Sequence, residues 1–279
     1  MQEILLNVTL ETLKICGLVF VMMVVIDLIN VYTKGRLLTT LRGTGWRQYG
    51  LASFLGATPG CWGAFANVSM YVHGLLSFGA LVGGMIATSG DEAFVMLSLF
   101  PKKAIFLFAI LFIMGIGFGW LSDRIAAVLH IKPSPECQLQ EVHPEDFSSE
   151  HYWKVHIWQH IICKHLWRVL LWTFTTLIII EIGMKYWNIG GFVSAHLTFT
   201  MLLAALVGII PTSGPHLIFV MMFSRGLVPF SVLLVSSIVQ DGHGMLPMLS
   251  YSIRDSFLIK VFNVVFGFIV GAALASLNL

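Results

Sequence analysis

Two short motifs place acidic and imidazole side chains inside stretches that are otherwise apolar. The first carries Asp91 and Glu92, and the second carries Asp241 and His243 on either side of a glycine. A carboxylate in hydrocarbon is costly unless it is paired, hydrated or bound to a cation. Carboxylate oxygens and imidazole nitrogens are also common ligands of divalent metals. The motifs therefore predict a metal-cation site with Asp91, Asp241 and His243 as its ligands.

Further polar side chains in the apolar stretches could complete this site. We predict Glu92 and His216 as secondary metal ligands or proton carriers. Eight other residues are predicted to line the substrate pathway: Thr58, Cys61, Asn67, Thr88, Ser89, Thr212, Ser213 and Gln240. Structural roles compete with each assignment. A carboxylate can cap a helix start, a hydroxyl can satisfy a freed backbone group, and Asp241 can form an ion pair with His243.

The donor types narrow the choice of ion. Oxygen ligands suit Mg²⁺ and Mn²⁺, and one or two imidazoles shift the preference toward Mn²⁺, Fe²⁺ or Zn²⁺. Protonation of a carboxylate or histidine weakens metal binding, which would allow H⁺ to exchange for metal. The transported cation is the expected ligand, and no other cofactor is predicted.

The composition places these residues in a membrane. The chain of 279 residues is 57% hydrophobic and 11% charged, with a mean hydropathy of +0.86, whereas soluble domains carry about 25% charged residues. The formal charge of +2 offers no basic patch for nucleic acid. Four cysteines without a CxxC pair give no disulfide framework. We predict an all-α polytopic protein of the cell inner membrane, with lipid as its main solvent.

Eight apolar segments are long enough to cross a bilayer, since a span needs about 20 residues. Four are uninterrupted, at about 13–32, 104–122, 166–187 and 257–278. Four are interrupted by Gly, Pro and small polar residues, at about 49–72, 75–100, 191–224 and 227–250. We predict that these four are broken helices. Paired broken helices indicate the binding site of a transporter, and the candidate residues lie in or near the breaks.

The two halves of the chain repeat each other. A shift of 152 residues aligns Gly56–Ser98 with Gly208–Ser250 without a gap, and 13 of these 43 positions are identical. Membrane composition inflates chance matches of Leu and Val. It does not explain paired glycines and prolines at fixed spacing, such as Pro59 with Pro211. The pattern therefore indicates a duplicated fold.

The predicted repeats span residues 1–122 and 166–279, and a polar region at 123–165 joins them. The second part of that region, Tyr152 to Trp167, alternates Trp and Ile with Lys and His, as amphipathic helices at a membrane surface do. If every segment of a half crosses the membrane, the halves are parallel. If one broken segment of each half is re-entrant, the halves are inverted. The sequence leaves both arrangements open, with 8 to 10 spans.

Six motifs carry a resemblance to a known family. They are Gly56–Cys61, Leu76–Val82, Ala87–Phe94, Gly208–His216, Val228–Ser231 and Gln240–Gly244. In these motifs the chain resembles the ten-span heavy-metal exporters, a family often labelled as manganese transporters. The resemblance implies ten spans and efflux of a heavy metal such as manganese. The family's first motif usually reads Pro-Gly-Cys-Gly, and the chain departs from it at Trp62. Thr212 and Ser213 stand where Gly-Cys is often found, which weakens the case for a thiolate ligand.

The favoured function is a secondary transporter that exports a divalent metal cation, Mn²⁺ first, in exchange for H⁺. The sequence contains no phosphate-cradling loop, HExxH or GxSxG motif, so neither ATP coupling nor catalysis is predicted. The main alternative is a transporter of a small organic or oxyanion substrate, which would depend on Arg225, His73 and half-helix N-termini. A non-transporting subunit that binds a partner through residues 123–165 is a further alternative. The chain could also form homo-oligomers.

Overall fold

The structure is a computed structural model. It describes residues 5–14, 16–17, 20–21, 24, 45–90, 92–131, 197–212, 214–224 and 226–276, with 158, 166–167, 170–171, 174–175 and 178. These residues form helices and turns and contain no strand, which confirms the all-α prediction. Asp91, Ser213, Arg225 and most of the region 123–165 lie outside the described residues.

From residue 45 to residue 131, the described part of the first half forms five helices, four of which are short, and residues 5–14 are also helical. The five helices are α1 (Gly45–Ala57), α2 (Trp62–Val72), α3 (Phe78–Ile86), α4 (Glu92–Leu99) and α5 (Pro101–Val128). The first four have 13, 11, 9 and 8 residues, and at about 1.5 Å per residue none can cross a hydrocarbon core alone. α5 has 28 residues and can.

The second half repeats this pattern of helices and breaks. Its elements are α6 (Leu197–Gly208), α7 (Gly214–Ser224), α8 (Phe230–Val239), a 3-10 turn (Gly242–Gly244), α9 (Met245–Tyr251) and α10 (Ile253–Ser276). The helix starts at 45, 62, 78 and 101 precede those at 197, 214, 230 and 253 by 152 residues each. The predicted duplication and the four predicted breaks are therefore confirmed in the helices themselves.

Matching glycines make the same backbone turns in both halves. Gly74 and Gly226 have φ values of 71° and 69°, and Gly90 and Gly242 have φ values of 59° and 53°. This left-handed region is readily available only to glycine. The first pair ends α2 and α7, and the second pair lies in the breaks before α4 and α9. The paired glycines of the sequence thus mark the turns that define each repeat.

The helix that contains the fourth predicted span, at about 104–122, is longer than that span, because α5 runs from Pro101 to Val128. Asp123, the residue after 122, lies within α5, and other elements of the protein supply hydrogen bonds to its carboxylate. It accepts hydrogen bonds from the hydroxyls of Tyr49 and Ser77 at 2.7 and 2.5 Å and from the N–H of Gly79 at 2.6 Å. A carboxylate that accepts three hydrogen bonds from the protein can lie within a helix and does not have to be in a solvent-exposed loop.

Contacts at one face of the molecule join several helix ends. Through Asp123, the start of α1 and the start of α3 meet near the end of α5. α2 ends at Val72, just before α3 begins, and near that end the hydroxyl of Tyr71 donates to Asp255 Oδ2 at 2.7 Å. Asp255 lies at the start of α10. The start of α10 therefore lies on the same face as the end of α5.

The opposite face joins the remaining ends. Phe223, near the end of α7, packs against Phe100 with ring centroids 5.0 Å apart, and the Nζ of Lys103 lies 5.0 Å from its ring. Phe230, at the start of α8, lies 5.8 Å from Phe106. The starts of α5 and α8 and the end of α7 thus share this second face, and α5 and α10 run in opposite directions.

These contacts decide the topology that the sequence left open: the halves are inverted. α1 and α2 start and end on one face and form a re-entrant hairpin, as their repeat counterparts α6 and α7 do from the other face. The pairs α3–α4 and α8–α9 cross from one face to the other. Within the described residues, three helical runs are long and apolar enough to span a bilayer: Pro101–Val128, Phe230–Tyr251 and Ile253–Leu274.

Candidate substrate site at the helix breaks

The four helix breaks meet in the interior of the molecule. The N–H of Gly60, between α1 and α2, donates to the carbonyl of Gly90, between α3 and α4, at 3.0 Å. Gln240, at the end of α8, donates through Nε2 to the carbonyl of Thr88 at 3.4 Å. Thr88 and Gln240 are repeat counterparts, so this hydrogen bond crosses the pseudo-twofold axis. His243 connects the remaining break, between α6 and α7, through its 3.4 Å contact with Thr212.

Two equivalent glycines allow the helices to approach closely at this junction. A Cβ on Gly56, near the end of α1, would collide with the backbone carbonyl of Gly84 in α3. A Cβ on Gly208, its counterpart at the end of α6, would lie 2.8 Å from the Cβ of Val239. The hairpins therefore press their tips against the broken crossing helices in both halves.

His243 lies between three polar side chains from three other elements. Its Nδ1 is 3.4 Å from the Sγ of Cys61 in the α1–α2 break, and its Nε2 is 3.4 Å from the Oγ1 of Thr212 in the α6–α7 break. The same Nε2 lies 3.0 Å from Oε1 of Glu11, in the helical segment 5–14. The imidazole is 6% exposed and the Glu11 side chain 39%, so Glu11 joins the buried imidazole to a partly exposed carboxylate.

Asp241 is fully buried and has charged and amide partners on α10. Its Oδ2 lies 2.6 Å from the Nζ of Lys260, and its Oδ1 accepts a 2.6 Å hydrogen bond from Nδ2 of Asn263. Positions three apart share one face of a helix, so α10 presents both partners together. The ion pair between Asp241 and His243, considered from the sequence, is not formed, because each residue has a different ionic partner.

The ammonium group of Lys260 also bonds to two helix ends. It donates to the carbonyl of Gly208, the last residue of α6, at 2.7 Å and to that of Val239, the last residue of α8, at 3.1 Å. An ammonium has three donors; two of them serve these carbonyls, and the charge also forms an ion pair with Asp241. Lys260 thereby offsets the partial negative charge at two helix C-termini.

Several predicted pathway residues serve the local backbone. The hydroxyls of Thr58 and Thr88 donate to the carbonyls of Leu55 and Gly84 at 2.5 and 2.9 Å. The amide Nδ2 of Asn67 donates to a carbonyl in α1 at 2.8 Å. These contacts satisfy carbonyls near helix breaks, which is the structural role expected of polar groups beside broken helices.

The two secondary ligand candidates are both buried. Nδ1 of His216 in α7 lies 2.8 Å from the Oγ of Ser236 in α8, so this contact stays within the second half. Glu92 is 2% exposed at the start of α4, where a carboxylate also favours the helix N-terminus. Their roles in binding stay predictions.

Some buried polar atoms near the junction make no hydrogen bond to protein. Within the described part of the chain they include Ser89 Oγ, Gln240 Oε1, Asn67 Oδ1, His216 Nε2 and Asn263 Oδ1. Native proteins satisfy most buried polar groups, and the exceptions indicate a water, an ion or a functional role. Four of these five residues were predicted from the sequence to lie in the site or its pathway.

The donors at the junction are bonded to one another. Among the described residues, no three His, Cys, Asp or Glu side chains converge as a ready metal site. The geometry explains this, because Cys61 and Glu11 contact opposite nitrogens of His243, and Asp241 is held by Lys260. A metal ion would have to exchange with these partners.

Sequence reasoning missed three residues of this site: Glu11, Lys260 and Asn263. Lys260 carried a usable signal, since a lysine within a predicted span is by default a functional candidate. Asn263 follows it by three positions on the same span. Glu11 lies just before the first predicted span, where a charged residue is unremarkable, so no sequence signal distinguished it.

Inverted halves whose broken helices meet around buried polar groups define a multi-pass membrane protein built like a solute transporter. A family model described as "Putative, 10TM heavy-metal exporter" matches residues 3–181 and 154–277. These matches span most of the chain, which therefore belongs to this heavy-metal exporter family. No curated protein and no solved structure matches the chain.

Proposed function

We propose that this protein is a secondary transporter that exports a divalent metal ion from the cell across the inner membrane, with Mn²⁺ the first candidate. One observation carries the proposal: where the four breaks meet, His243 lies within 3.4 Å of Cys61 and Thr212 and 3.0 Å of Glu11. Imidazole, thiol and carboxylate groups together bind divalent transition metals. Membership of the exporter family supports the heavy-metal class and the outward direction.

The proposed substrate ligand is His243, with Glu11 and Cys61 as the partners it exchanges for metal. Either ring nitrogen becomes a metal ligand when its present partner moves away. Asp91, the repeat counterpart of His243, and Asp241 stay predicted ligands. An imidazolium and a thiol each bind metal only after losing a proton, so metal binding to the thiol, or to a protonated His243, releases H⁺ at this site. This chemistry supports the proposed exchange of metal for H⁺.

The donor set makes ion selectivity a measurable property of the site. Carboxylate and hydroxyl oxygens suit Mn²⁺, while a thiol shifts the preference toward softer ions such as Zn²⁺. Cys61→Ser, with Cys16→Ser as its matched control, separates the two preferences. We expect Cys61→Ser to lower transport of Zn²⁺ more than transport of Mn²⁺, and Cys16→Ser to leave the ratio unchanged.

The function is tested in proteoliposomes loaded with a metal-sensitive dye, under an imposed pH gradient, with a panel of Mn²⁺, Fe²⁺, Zn²⁺ and Mg²⁺. We expect wild-type protein to move at least one transition metal faster when the pH gradient drives H⁺ in the direction opposite to the metal. Loss of the central ligand in His243→Gln should lower the rate by about 100-fold. The control is His130→Asn, at the exposed end of α5, which should transport normally.

Two results would contradict the proposal: no panel metal moves, or His243→Gln transports like wild type. Uptake of radiolabelled phosphate or arsenate into the same proteoliposomes addresses the alternative substrate class. That alternative depended on Arg225, which lies outside the described residues, on half-helix N-termini and on His73. His73 lies at the opposite end of α2 from Cys61, and its Nδ1 is 2.6 Å from the carbonyl oxygen of Ser69.

A further inference from the structure

The oxygen atoms around the ammonium of Lys260 resemble the ligand shell of a metal ion. Two are backbone carbonyls at the ends of α6 and α8, from Gly208 and Val239, and the third is a carboxylate oxygen of Asp241. Unwound carbonyls and half-helix C-termini are the groups that bind cations in transporters with broken helices. Their distances from Nζ are 2.7, 3.1 and 2.6 Å.

A fourth oxygen lies beside this shell. The Oδ1 of Asn263 is buried and accepts no hydrogen bond from protein, while the Nδ2 of the same amide donates to Asp241. Carbonyl, amide and carboxylate oxygens are the ligands that hard divalent cations prefer. The described residues therefore hold a preformed cluster of oxygen donors around a positive charge that the protein supplies itself.

We propose that the carbonyls of Gly208 and Val239 and the carboxylate of Asp241 form a cation-binding site, that Lys260 fills this site with its own ammonium group, and that the exported metal ion competes with Lys260 for it. The inference rests on the proposed function only for the identity of the competing ion. The other part of the proposal, that the Lys260 ammonium is a tethered cation that fills this site, can be tested without measuring transport.

The site exists once in the duplicated chain. The repeat counterparts of Asp241, Lys260 and Asn263 are Ser89, Phe108 and Leu111, none of which carries a charge. Symmetry therefore does not require this arrangement, and the second half alone carries it. A single competing charge gives the transporter one place at which metal binding and the closure of a helix break are linked.

The competition follows from the position of Asp241. Only Gly242 separates it from His243, the proposed ligand of the exported metal. A divalent ion that arrives at His243 is attracted to the neighbouring carboxylate of Asp241 and competes there with Lys260, and displacement of the ammonium frees the ends of α6 and α8 to move. Return of the ammonium to Asp241 would then favour release of the metal. Lys260 acts in this scheme as a positioning and selectivity residue.

The first experiment replaces the tethered cation with a free one. Lys260→Ala removes the ammonium, and ethylammonium chloride supplies a cation of similar size. Lys260, Ser256 and Phe257 help to line an open groove of about 410 Å³, and we expect a small amine to enter the vacated position from it. We expect ethylammonium to raise the Tm of Lys260→Ala in detergent and to leave wild type and Lys103→Ala unchanged.

If ethylammonium shifts the Tm of all three proteins equally, or shifts the Tm of none of them, the proposal that Lys260 fills a cation site is wrong. If Lys260→Ala can be purified only with ethylammonium present, that dependence supports it, because wild type and Lys103→Ala serve as references under the same conditions.

The second experiment measures Mn²⁺ binding to Lys260→Met by calorimetry. Removing the competitor should tighten Mn²⁺ binding by about tenfold, within the usual range of coupling between sites, and should slow Mn²⁺ transport because release is impaired. The matched control is Lys103→Met, at the other end of the membrane core. Adding Asp241→Asn to Lys260→Met should abolish the gain in affinity.

These arms separate the two proposals. If wild type neither binds nor moves any panel metal, the proposed function fails, while the ethylammonium result still decides whether Lys260 fills a cation site. If wild type transports metal but Lys260→Met binds Mn²⁺ no more tightly, the proposed function stands and the competition is refuted. A gain in affinity that persists in the double variant would also refute it, because Asp241 would then be no part of the site.

Discussion

The two broken crossing helices, α3–α4 and α8–α9, have the same backbone and different chemistry. Both break at a glycine with positive φ, Gly90 in one and Gly242 in the other. Beside that glycine the first half has Ser89, whose hydroxyl makes no hydrogen bond to protein, and the second has Asp241, which forms an ion pair with Lys260. The shared backbone thus forms the junction, and residues that differ between the halves supply this ion pair.

One pair of repeat-equivalent contacts between the halves, with one contact at each face, also keeps its position and changes its chemistry. Tyr71 donates to Asp255 at one face, and the repeat-equivalent contact at the other face is Phe223 with Lys103. The aromatic residue is kept in position, while its partner changes from an acid to a base. Inverted symmetry preserves where helices touch, and each contact is free to change its type of interaction.

The largest expected effect comes from breaking the charge pair. Asp241→Asn leaves the buried ammonium of Lys260 without its carboxylate and should lower the free energy of unfolding by about 3–5 kcal/mol. Ser89→Ala at the equivalent position removes a hydroxyl without a protein partner, so we expect a change of less than about 0.5 kcal/mol. Denaturant titration in mixed micelles measures both.

The double variant Asp241→Asn with Lys260→Met sharpens this comparison. Replacing both members of a buried pair is often neutral or stabilising, by up to about 4 kcal/mol, so the second change should recover most of the lost stability. Two results would show that charge pairing is not what distinguishes the halves. One is an equal loss of unfolding free energy in Ser89→Ala and Asp241→Asn, and the other is a double variant no more stable than Asp241→Asn.

The next effect concerns the two glycines at the hairpin tips. Gly56→Ala forces a Cβ against the backbone carbonyl of Gly84, whereas Gly208→Ala meets the side chain of Val239. Because a side chain can shift more readily than a helix backbone, we expect losses near the upper and lower ends of the overpacking range, about 3 and about 1 kcal/mol. Thermal unfolding of both variants is the measurement, and a larger loss at Gly208 would contradict the ranking.

The sequence predicted the breaks and the repeat because their signals are local. Glycine, proline and polar residues interrupt apolar runs at each break, and the regular spacing of 152 residues needs only one alignment. The same signals identified Asp241 and His243 as buried groups of interest. The breaks depend on residues within a few turns of one another, and the repeat requires only a comparison of the sequence with itself.

The partners of those groups could not be predicted, because they depend on how distant segments pack. Nothing near Asp241 in the sequence indicates that Lys260 and Asn263 approach it from another helix. Glu11 reaches His243 from the far end of the chain. The inverted topology is also a global property, since α2 has the same local pattern whether it turns back or continues across.

The smallest expected difference tests the equivalent contacts between the halves. Tyr71→Phe removes a donor from the fully buried carboxylate of Asp255, which should cost about 1–3 kcal/mol. Lys103→Met removes an exposed cation–π contact with Phe223, worth about 0.5–1 kcal/mol. Unfolding of both variants in the same detergent gives the ranking. If Lys103→Met lost as much unfolding free energy as Tyr71→Phe, the position of a contact in the repeat, and not its burial, would set its contribution to stability. The two faces would then be equivalent in energy as well as in geometry.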